Sequence, residues 1–424
     1  MSEVSADDIG QIQRRVVRVL GISQLFNGLG IAIGVAMAPL AAASTSGSAS
    51  VGGIASASLV IGTAVSALPL ARVAARQGRR AALSLGFGAG AIGSAVAAVS
   101  LAAHAWLPMT AAMILFGFSS AASYATRYAA TDLARPDRRG SNLAIVIWPT
   151  TVGVVAGPNL LSPAEHLSAL LGVRPLAGPF FLTGLAFLIT TTLVQVGLRP
   201  DPLILARSMA SASSADAAKP LRPPHKGWGW LPVASLRAQP QVRWCIYAIA
   251  VGHAAMIAIM VMAPVDMQQH MLPLATIGMV VSGHLFGMYA PSPVMGWLTD
   301  RFGAPKLMIA GLGTVAVAGL VMSAATDRPW LSGIGLFLLG VGWSADVVAG
   351  SAMLAEQTST TERPIIQGLN DLVMDVCGVV ASIAAGIIVV AASFGALSLA
   401  TTALIVILLP LQVRIFARNR RQEA

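Results

Sequence analysis

The chain has 424 residues, of which 56% are hydrophobic and only 10% are charged, and its mean hydropathy is +0.75. A soluble domain carries about 25% charged residues, so this composition excludes a water-soluble globular protein and leaves the lipid bilayer as the main solvent. The net charge of +10 comes from basic residues scattered over short loops, a pattern that does not favour nucleic-acid binding.

Apolar stretches of about 20 residues, enough to cross a hydrocarbon core of about 30 Å, recur along the chain. We predict six membrane spans in the first half, near 16–40, 51–74, 81–103, 107–131, 142–163 and 177–198. We predict six more in the second half, near 242–266, 274–298, 307–325, 330–354, 367–391 and 395–416. The predicted fold class is therefore an all-α membrane protein with twelve transmembrane helices.

Lysine and arginine are unevenly distributed between the two sides of these spans. With a cytoplasmic N-terminus, only Arg174 and Arg328 fall in external loops, and the rest of the 27 basic residues lie in or beside cytoplasmic segments. The positive-inside rule then predicts a multi-pass protein of the bacterial inner membrane with both termini cytoplasmic. Residues 1–13 lack the basic region of a cleavable secretory signal, so we expect the first span to act as an uncleaved signal.

One long polar break, 199–241, interrupts the spans. Its serine-rich and proline-rich stretches are typical of a flexible cytoplasmic linker. The linker divides the chain into an N-terminal six-helix bundle over 1–198 and a C-terminal six-helix bundle over 242–424, which ends in a short basic tail.

The two halves share a loop pattern at equivalent positions. The first copy reads Ala71-Arg-Val-Ala-Ala-Arg-Gln-Gly-Arg-Arg80 and the second Gly296-Trp-Leu-Thr-Asp-Arg-Phe-Gly-Ala-Pro-Lys306. Both resemble the G-x-x-x-D-R-x-G-R-R/K loop of the major facilitator superfamily, although the first copy has Ala71 and Ala75 where Gly and Asp are usual. The resemblance implies two pseudo-symmetric bundles about a central site. It also implies a conformational latch made of Arg76, Gly78, Arg79, Gly296, Asp300, Arg301 and Gly303.

Methionine is concentrated in spans 7 and 8. Met256 and Met260 are four residues apart, as are His284 and Met288, and side chains at that spacing share a helix face about 5–6 Å apart at Cβ. The helical rise places both pairs near the membrane midplane. Soft sulfur with imidazole selects copper, and no carboxylate cluster accompanies it as Ca²⁺, Mg²⁺ or Mn²⁺ would require. The alternative is that these methionines only fill space between helices.

The M-x-x-x-M pair, followed 28 residues later by H-x-x-x-M, resembles the CcoA-like bacterial copper importers. Further matches are Arg127-Tyr-Ala-Ala-Thr-Asp132, Gly157-Pro-Asn-Leu160 and the stretch from His284 to Ser292. The resemblance implies copper import for cytochrome c oxidase assembly, with Met256, Met260, His284 and Met288 as the ligands. It implies copper as substrate, no organic cofactor, copper chaperones as partners and a monomer in the bilayer.

Other residues are weaker candidates for metal binding or coupling. Further copper ligands would come from His253, Met267, His270, Met271, Cys245 and Cys377, for which packing or solvation is the alternative. Carboxylates within a membrane span usually mark a proton or ion path, or else pair with a neighbouring helix; here they are Asp346, Asp371 and Asp375. For Arg127 we expect a structural ion pair with Asp132 rather than binding of a substrate anion.

No enzyme motif is present, and without a P-loop the sequence does not predict ATP-driven transport. We therefore predict a secondary transporter that imports copper by alternating access. A second reading is a drug/proton antiporter, because Gly153-Val-Val-Ala-Gly157-Pro158 partly resembles the G-x-x-x-G-P antiporter motif. A third is a membrane copper sensor or chaperone that does not transport.

Overall fold

The computed structural model describes residues 6–170, 172–173, 176–215, 239–325 and 328–423. Arg174 and residues 216–238 of the predicted linker lie outside this part of the chain. The described residues form α-helices joined by short turns and two 3₁₀ segments, with no β-strand among them. The all-α prediction is therefore confirmed.

The helices of the first half are α1 (Ala6–Ser46), α2 (Ala49–Gln77), α3 (Arg79–Ala102), α4 (Trp106–Ala129), α5 (Arg139–Ile147), α6 (Thr150–Ala156), α7 (Leu161–Leu170), α8 (Ala177–Gly197) and α9 (Pro202–Ala215). Those of the second half are α10 (Pro240–Gln269), α11 (Leu274–Tyr289), α12 (Ser292–Phe302), α13 (Ala304–Ser323), α14 (Pro329–Gln357), α15 (Arg363–Ala391) and α16 (Phe394–Glu423).

Among the described residues, 9 helices are long and apolar enough to cross a membrane. Two of the predicted spans are interrupted. The fifth is divided into α5, α6 and α7, with Pro149 between the first two, and the eighth is divided into α11 and α12 at Pro291. Proline lacks the backbone N–H that would continue the helical hydrogen bonds, which accounts for breaks at these positions.

The linker begins with a helix, α9, which the prediction of a flexible segment missed. Asp201 caps its N-terminus, accepting from the backbone N–H of Leu203 at 3.0 Å and of Ile204 at 3.1 Å. The other oxygen of Asp201 accepts from the N–H of Arg80 at 2.7 Å. Arg207 donates to the carbonyl oxygens of Ala75 at 2.6 Å and Thr360 at 3.2 Å. A charged cap and an anchoring arginine therefore hold the first part of the linker in place.

The chain divides into two compact units that do not follow the predicted bundle boundaries at every point. Unit 1 consists of residues 1–135, 149–230 and 359–372, and unit 2 of residues 136–148, 231–358 and 373–424. The short helix α5 thus belongs with unit 2, and α15 begins in unit 1 and continues in unit 2.

The core of unit 1 is built on α1, α2, α3, α4 and α8. Its aromatic centre is the pair Phe116 and Phe187, whose rings meet edge to face with centroids 5.2 Å apart. Small residues of α1 and α2, such as Ala38, Ala41 and Ala55, pack around this pair. Close backbone approach through small residues is the usual mode of helix packing in membranes.

In unit 2, α14 is the central helix. It packs against α10, α11, α12 and α13. The backbones of α13 and α14 approach each other at Gly311 and Gly342, where a β-carbon on either glycine would lie 2.8 Å from the carbonyl oxygen of the other. The glycines therefore permit backbone contact at the centre of this unit.

Candidate functional site

His284 is the most completely buried of the predicted copper ligands. It lies on α11 with none of its surface exposed. Its Nδ1 lies 2.7 Å from the carbonyl oxygen of Leu336 on α14, so Nδ1 carries the proton and donates it. Nε2 is then an acceptor, and it has no hydrogen-bond partner among the described residues. A histidine held by a carbonyl on one nitrogen, with the other nitrogen free, has the arrangement usual for a metal-ligating imidazole.

The three predicted thioether ligands lie in the same unit as His284. Met256 and Met288 are buried, with 1% and 6% of their surface exposed, and Met260 is partly buried. Met256 and Met260 lie on α10 and Met288 on α11, and these two helices contact each other. In the described part of the chain, no hydrogen bond joins the α10 pair to the α11 pair.

Among the additional candidate ligands, His253 and Cys245 form hydrogen bonds with α14. The indole N–H of Trp343 donates to Nδ1 of His253 at 3.0 Å, and the thiol of Cys245 donates to the carbonyl oxygen of Gly350 at 3.2 Å. Cys377 is a free, partly exposed cysteine on α15. Over the described residues, no three His, Cys, Asp or Glu side chains form a group that could hold a metal ion.

Three further candidate ligands, Met267, His270 and Met271, lie at the end of α10 or just beyond it. Met267 lies within α10 with 3% of its surface exposed, so it belongs to the core rather than to a loop. His270 is held at the end of the helix, with Nδ1 2.8 Å from the carbonyl oxygen of Asp266. Met271 is 89% exposed. Of the two methionines, only Met271 exposes its sulfur to solvent.

Arg127 does not pair with Asp132, contrary to the prediction. Its Nη2 donates to Oδ1 of Asp371 at 2.5 Å. The hydroxyl of Tyr128 and the amide of Asn370 also donate to that oxygen, each at 3.3 Å. A buried guanidinium therefore neutralises the carboxylate of Asp371.

Asp132 instead belongs to a second buried cluster in unit 1. Arg79 donates to its two oxygens at 2.8 and 3.2 Å, a bidentate arrangement, and Arg363 lies 3.6 Å away. Arg79 also donates to the side-chain oxygen of Gln367 at 2.7 Å. A cavity of about 20 Å³, large enough for one water molecule, is lined by Arg79, Gln367 and Asp371, among others.

The residues of the repeated loop occupy different environments. Gly78 and Gly303 both have positive φ, +92° and +89°, a conformation that glycine adopts without steric cost. Asp300 accepts from the backbone N–H of Gly140 at 2.7 Å and of Ser141 at 2.8 Å, at the start of α5. A carboxylate is favourable at a helix N-terminus.

The remaining residues of the repeated loop differ in exposure and in contacts. Arg76 is exposed, Arg301 lies over the ring of Trp297, and Gly296 is buried against Gly140.

The partly matching antiporter motif has a packing role in the structure. A β-carbon on Gly153 would lie 2.5 Å from backbone atoms of Leu25 and Leu29 on α1, and one on Gly157 would lie 2.6 Å from Cβ of Ala32. Both glycines therefore allow close contact between this segment and α1.

Among the intramembrane carboxylates, Asp346 differs from Asp371 in its hydrogen bonding. Asp346 on α14 is fully buried, and neither of its oxygens has a hydrogen-bond partner among the described residues. Asp375 on α15 is buried with 8% of its surface exposed.

Sequence reasoning missed several residues that complete these sites. Arg363, Gln367 and Tyr128 were not identified, although each is a polar side chain within or beside a predicted span. Such residues are expensive in a membrane unless partnered, so their presence was a usable signal. The hydrogen bond from His284 to the carbonyl of Leu336 could not be predicted from the sequence, because every residue has a carbonyl group.

The sequence matches the family model described as Major Facilitator Superfamily over residues 20–271 and 245–424. It is 32% identical to the uncharacterized MFS-type transporter YddS of Bacillus subtilis over 418 residues, 98% of this chain and 94% of that protein. It is 34% identical to YdeG, another uncharacterized MFS-type transporter of Bacillus subtilis, over 96% of this chain and 93% of that protein.

A more distant relative is the riboflavin transporter RfnT of Brucella anthropi, 26% identical over 74% of each chain. Among solved structures, an outward-facing bacterial homologue of the iron transporter ferroportin superposes with a TM-score of 0.72. The two sequences are 14% identical over 94% of this chain and 98% of that one, so the similarity is one of fold.

Proposed function

This chain belongs to the major facilitator superfamily and is a multi-pass membrane transporter of the secondary type, and we propose that its substrate is copper. In this proposal the chain imports copper across the bacterial inner membrane by alternating access and supplies it for cytochrome c oxidase assembly. Met256, Met260, His284 and Met288 bind the ion during transport.

The observation that carries the proposal is the imidazole of His284. It is wholly buried, its Nδ1 is fixed by the Leu336 carbonyl at 2.7 Å, and its Nε2 has no partner among the described residues. An unpartnered acceptor at that depth is costly. Coordination of a metal ion by the Nε2 lone pair would offset this cost.

Sulfur ligands on the adjacent helices support copper over harder cations. Met256 and Met260 share a face of α10, and Met288 follows His284 by one turn of α11. Thioether and imidazole donors favour Cu(I), whereas Mg²⁺, Ca²⁺ and Mn²⁺ prefer oxygen. Copper enters this account as the transported substrate and not as a resident cofactor.

The direct test is uptake of radioactive copper, kept reduced, by proteoliposomes containing the purified protein. Time-dependent accumulation that empty liposomes lack, and that excess unlabelled copper competes away, is expected. Copper that binds without entering the lumen would favour the sensor or chaperone reading. If neither uptake nor binding occurs, the copper assignment is wrong.

A second candidate substrate is riboflavin or a related aromatic heterocycle, favoured by the similarity to RfnT over 74% of the chain. The same proteoliposomes should be tested with labelled riboflavin in parallel. Uptake of riboflavin without copper would establish the organic substrate. Proton-driven efflux of amphipathic drugs would instead favour the antiporter reading.

A further inference from the structure

Asp346 is a buried carboxyl group for which the copper site has no use. It lies in the middle of α14, none of its surface is exposed, and neither carboxyl oxygen has a hydrogen-bond partner among the described residues. The other two fully enclosed carboxylates discussed above, Asp132 and Asp371, each have an arginine partner within 2.8 Å. Among the described residues, Asp346 thus lacks the arginine partner that Asp132 and Asp371 have.

The immediate surroundings of Asp346 are apolar and close. A β-carbon on Gly252 of α10 would lie 2.5 Å from Oδ2, so only a glycine at that position leaves room for the carboxyl group. The side chain of Leu312 on α13 lies against the same glycine, and Gly311 packs on the amide nitrogen of Asp346. The carboxyl group therefore lies where α10, α13 and α14 meet, and the residues of α10 and α13 next to it are apolar.

Two titratable groups of α10, Cys245 and His253, form hydrogen bonds with α14. Cys245 donates its S–H to Gly350, one turn beyond Asp346 on α14. His253 accepts from the N–H of Trp343 through Nδ1, which fixes the imidazole in its neutral form with the proton on Nε2. Neither group supplies a positive charge to the carboxylate.

Among the described residues, the other helices packed against α14 bond no cation to Asp346, and the one lysine of α13, Lys306, is exposed. On α11, His284 contacts α14 at Leu336, ten residues or about 15 Å from Asp346 along the helix. From α5, Leu143 and Ala144 pack on Val348 as an apolar cluster. The charged Asp300 of α12 is bound at the start of α5.

We propose that Asp346 is a proton-binding site, occupied while the carboxyl group is enclosed and vacated when transport exposes the group to water. An ionised carboxylate in these surroundings would bear the full cost of desolvation, whereas the protonated acid is neutral. A metal cation is a poor alternative, because it would require several oxygen ligands where Gly252 and Leu312 present carbon. The proton leaves one carboxyl oxygen for a water molecule.

This inference rests on the proposed transport function only for its role in the cycle. The protonation itself is tested without substrate, by infrared spectroscopy of the purified protein at neutral pH. The C=O stretching band of a protonated carboxyl group should be present, should shift in heavy water, and should lose intensity in Asp346→Asn. The matched control Asp137→Asn, which changes an exposed aspartate, should leave the band unchanged. A band unaltered by Asp346→Asn would overturn the proposal.

Asparagine has nearly the shape of protonated aspartic acid, so Asp346→Asn should fold as the parent does. A marked loss of thermal stability in this variant would show that the native group is ionised and partnered, which also overturns the proposal.

The role in the cycle is tested by copper uptake into proteoliposomes with and without an imposed pH gradient. The gradient should alter uptake by the parent protein, and Asp346→Asn should show equal uptake under both conditions while still exchanging labelled for unlabelled copper. Gradient-dependent uptake in Asp346→Asn would overturn the coupling role. Complete absence of copper transport in the parent would refute the proposed substrate instead, and the infrared result would still stand.

Discussion

Arg127 and Asp371 form a buried ion pair, with Nη2 of the arginine 2.5 Å from Oδ1 of the aspartate, although 244 residues separate them in the sequence. Tyr128 and Asn370 donate to the same carboxylate oxygen. The carboxylate of Asp371 therefore accepts from three side chains. The sequence left open either a proton or ion path or pairing with a neighbouring helix, and the structure shows Asp371 paired. Asp371 is thus a partner of α4 rather than an isolated acid.

Removing one member of this pair should be more harmful than removing both. Asp371→Asn leaves a buried guanidinium without its counter-charge, a change that typically costs about 3–5 kcal/mol. The double variant Arg127→Gln, Asp371→Asn should recover part of the lost stability. Thermal unfolding of the purified protein, followed by tryptophan fluorescence, measures both. A double variant less stable than the single one would contradict this account of the pair.

Arg79 should contribute more to the Asp132 cluster than Arg363 does. Arg79 makes a bidentate contact at 2.8 and 3.2 Å, whereas Arg363 lies 3.6 Å away. Arg79→Ala should therefore lower the unfolding temperature more than Arg363→Ala. Arg79→Lys keeps the charge but loses the planar two-pronged geometry, so its effect should fall between those of the parent and Arg79→Ala. Equal effects of the two alanine variants would be evidence against a dominant Arg79.

Replacing methionine by leucine removes the sulfur and nearly keeps the side-chain volume. This substitution therefore distinguishes methionines that bind copper from methionines that only pack. Met→Leu usually costs less than about 1.5 kcal/mol in packing, so a Met256→Leu, Met260→Leu double variant should accumulate normally but lose copper uptake. Met308, a buried methionine of α13 in the same unit, provides the control, and Met308→Leu should transport normally. Undiminished uptake in the double variant would leave Met256 and Met260 as packing residues.

His284 allows a sharper test, because its two nitrogens have different environments. His284→Asn places an amide N–H near the position of Nδ1, where it can still donate to the Leu336 carbonyl, but provides no atom in place of Nε2. Copper uptake should be lost while thermal stability is largely kept. Retained uptake would show that Nε2 is not a ligand.

Asp300 should control the order of the first turn of α5. Its carboxylate accepts from the backbone N–H groups of Gly140 and Ser141, and loss of such a cap costs about 0.5–2 kcal/mol. In Asp300→Ala, amide hydrogen exchange over residues 139–143 should accelerate, while exchange in α3, which Asp300 does not cap, should not change. Unaltered exchange at α5 would argue against the capping role.

The fold could be predicted well because each span bears its own signal. A run of about 20 apolar residues needs no partner to be recognised, and the structure has helices over every predicted span, with breaks at Pro149 and Pro291. The helix α9 was missed because its stability depends on tertiary contacts. Its anchor, Arg207, bonds to carbonyl groups 132 and 153 residues away in the chain.

The candidate sites were only partly predictable for the same physical reason. The spacings of Met256 with Met260 and of His284 with Met288 are local, so they could be read from the sequence. Which arginine neutralises which aspartate is decided by packing between distant helices. The sequence therefore supplied the charged residues, and their assignment to one another came only from the structure.

The anchoring of α9 has a consequence for anyone who divides this protein into two co-expressed fragments. A cut at the start of the linker, next to Pro200, would leave Asp201 and Arg207 on the second fragment, while Arg80 and Ala75, which they bind, remain on the first. A cut beyond Ala215 keeps the bonds to Arg80 and Ala75 within one fragment but separates Arg207 from Thr360. The first design should give fragments that reassemble less well than those of the second, because α9 is bound to the first half through Asp201 and Arg207.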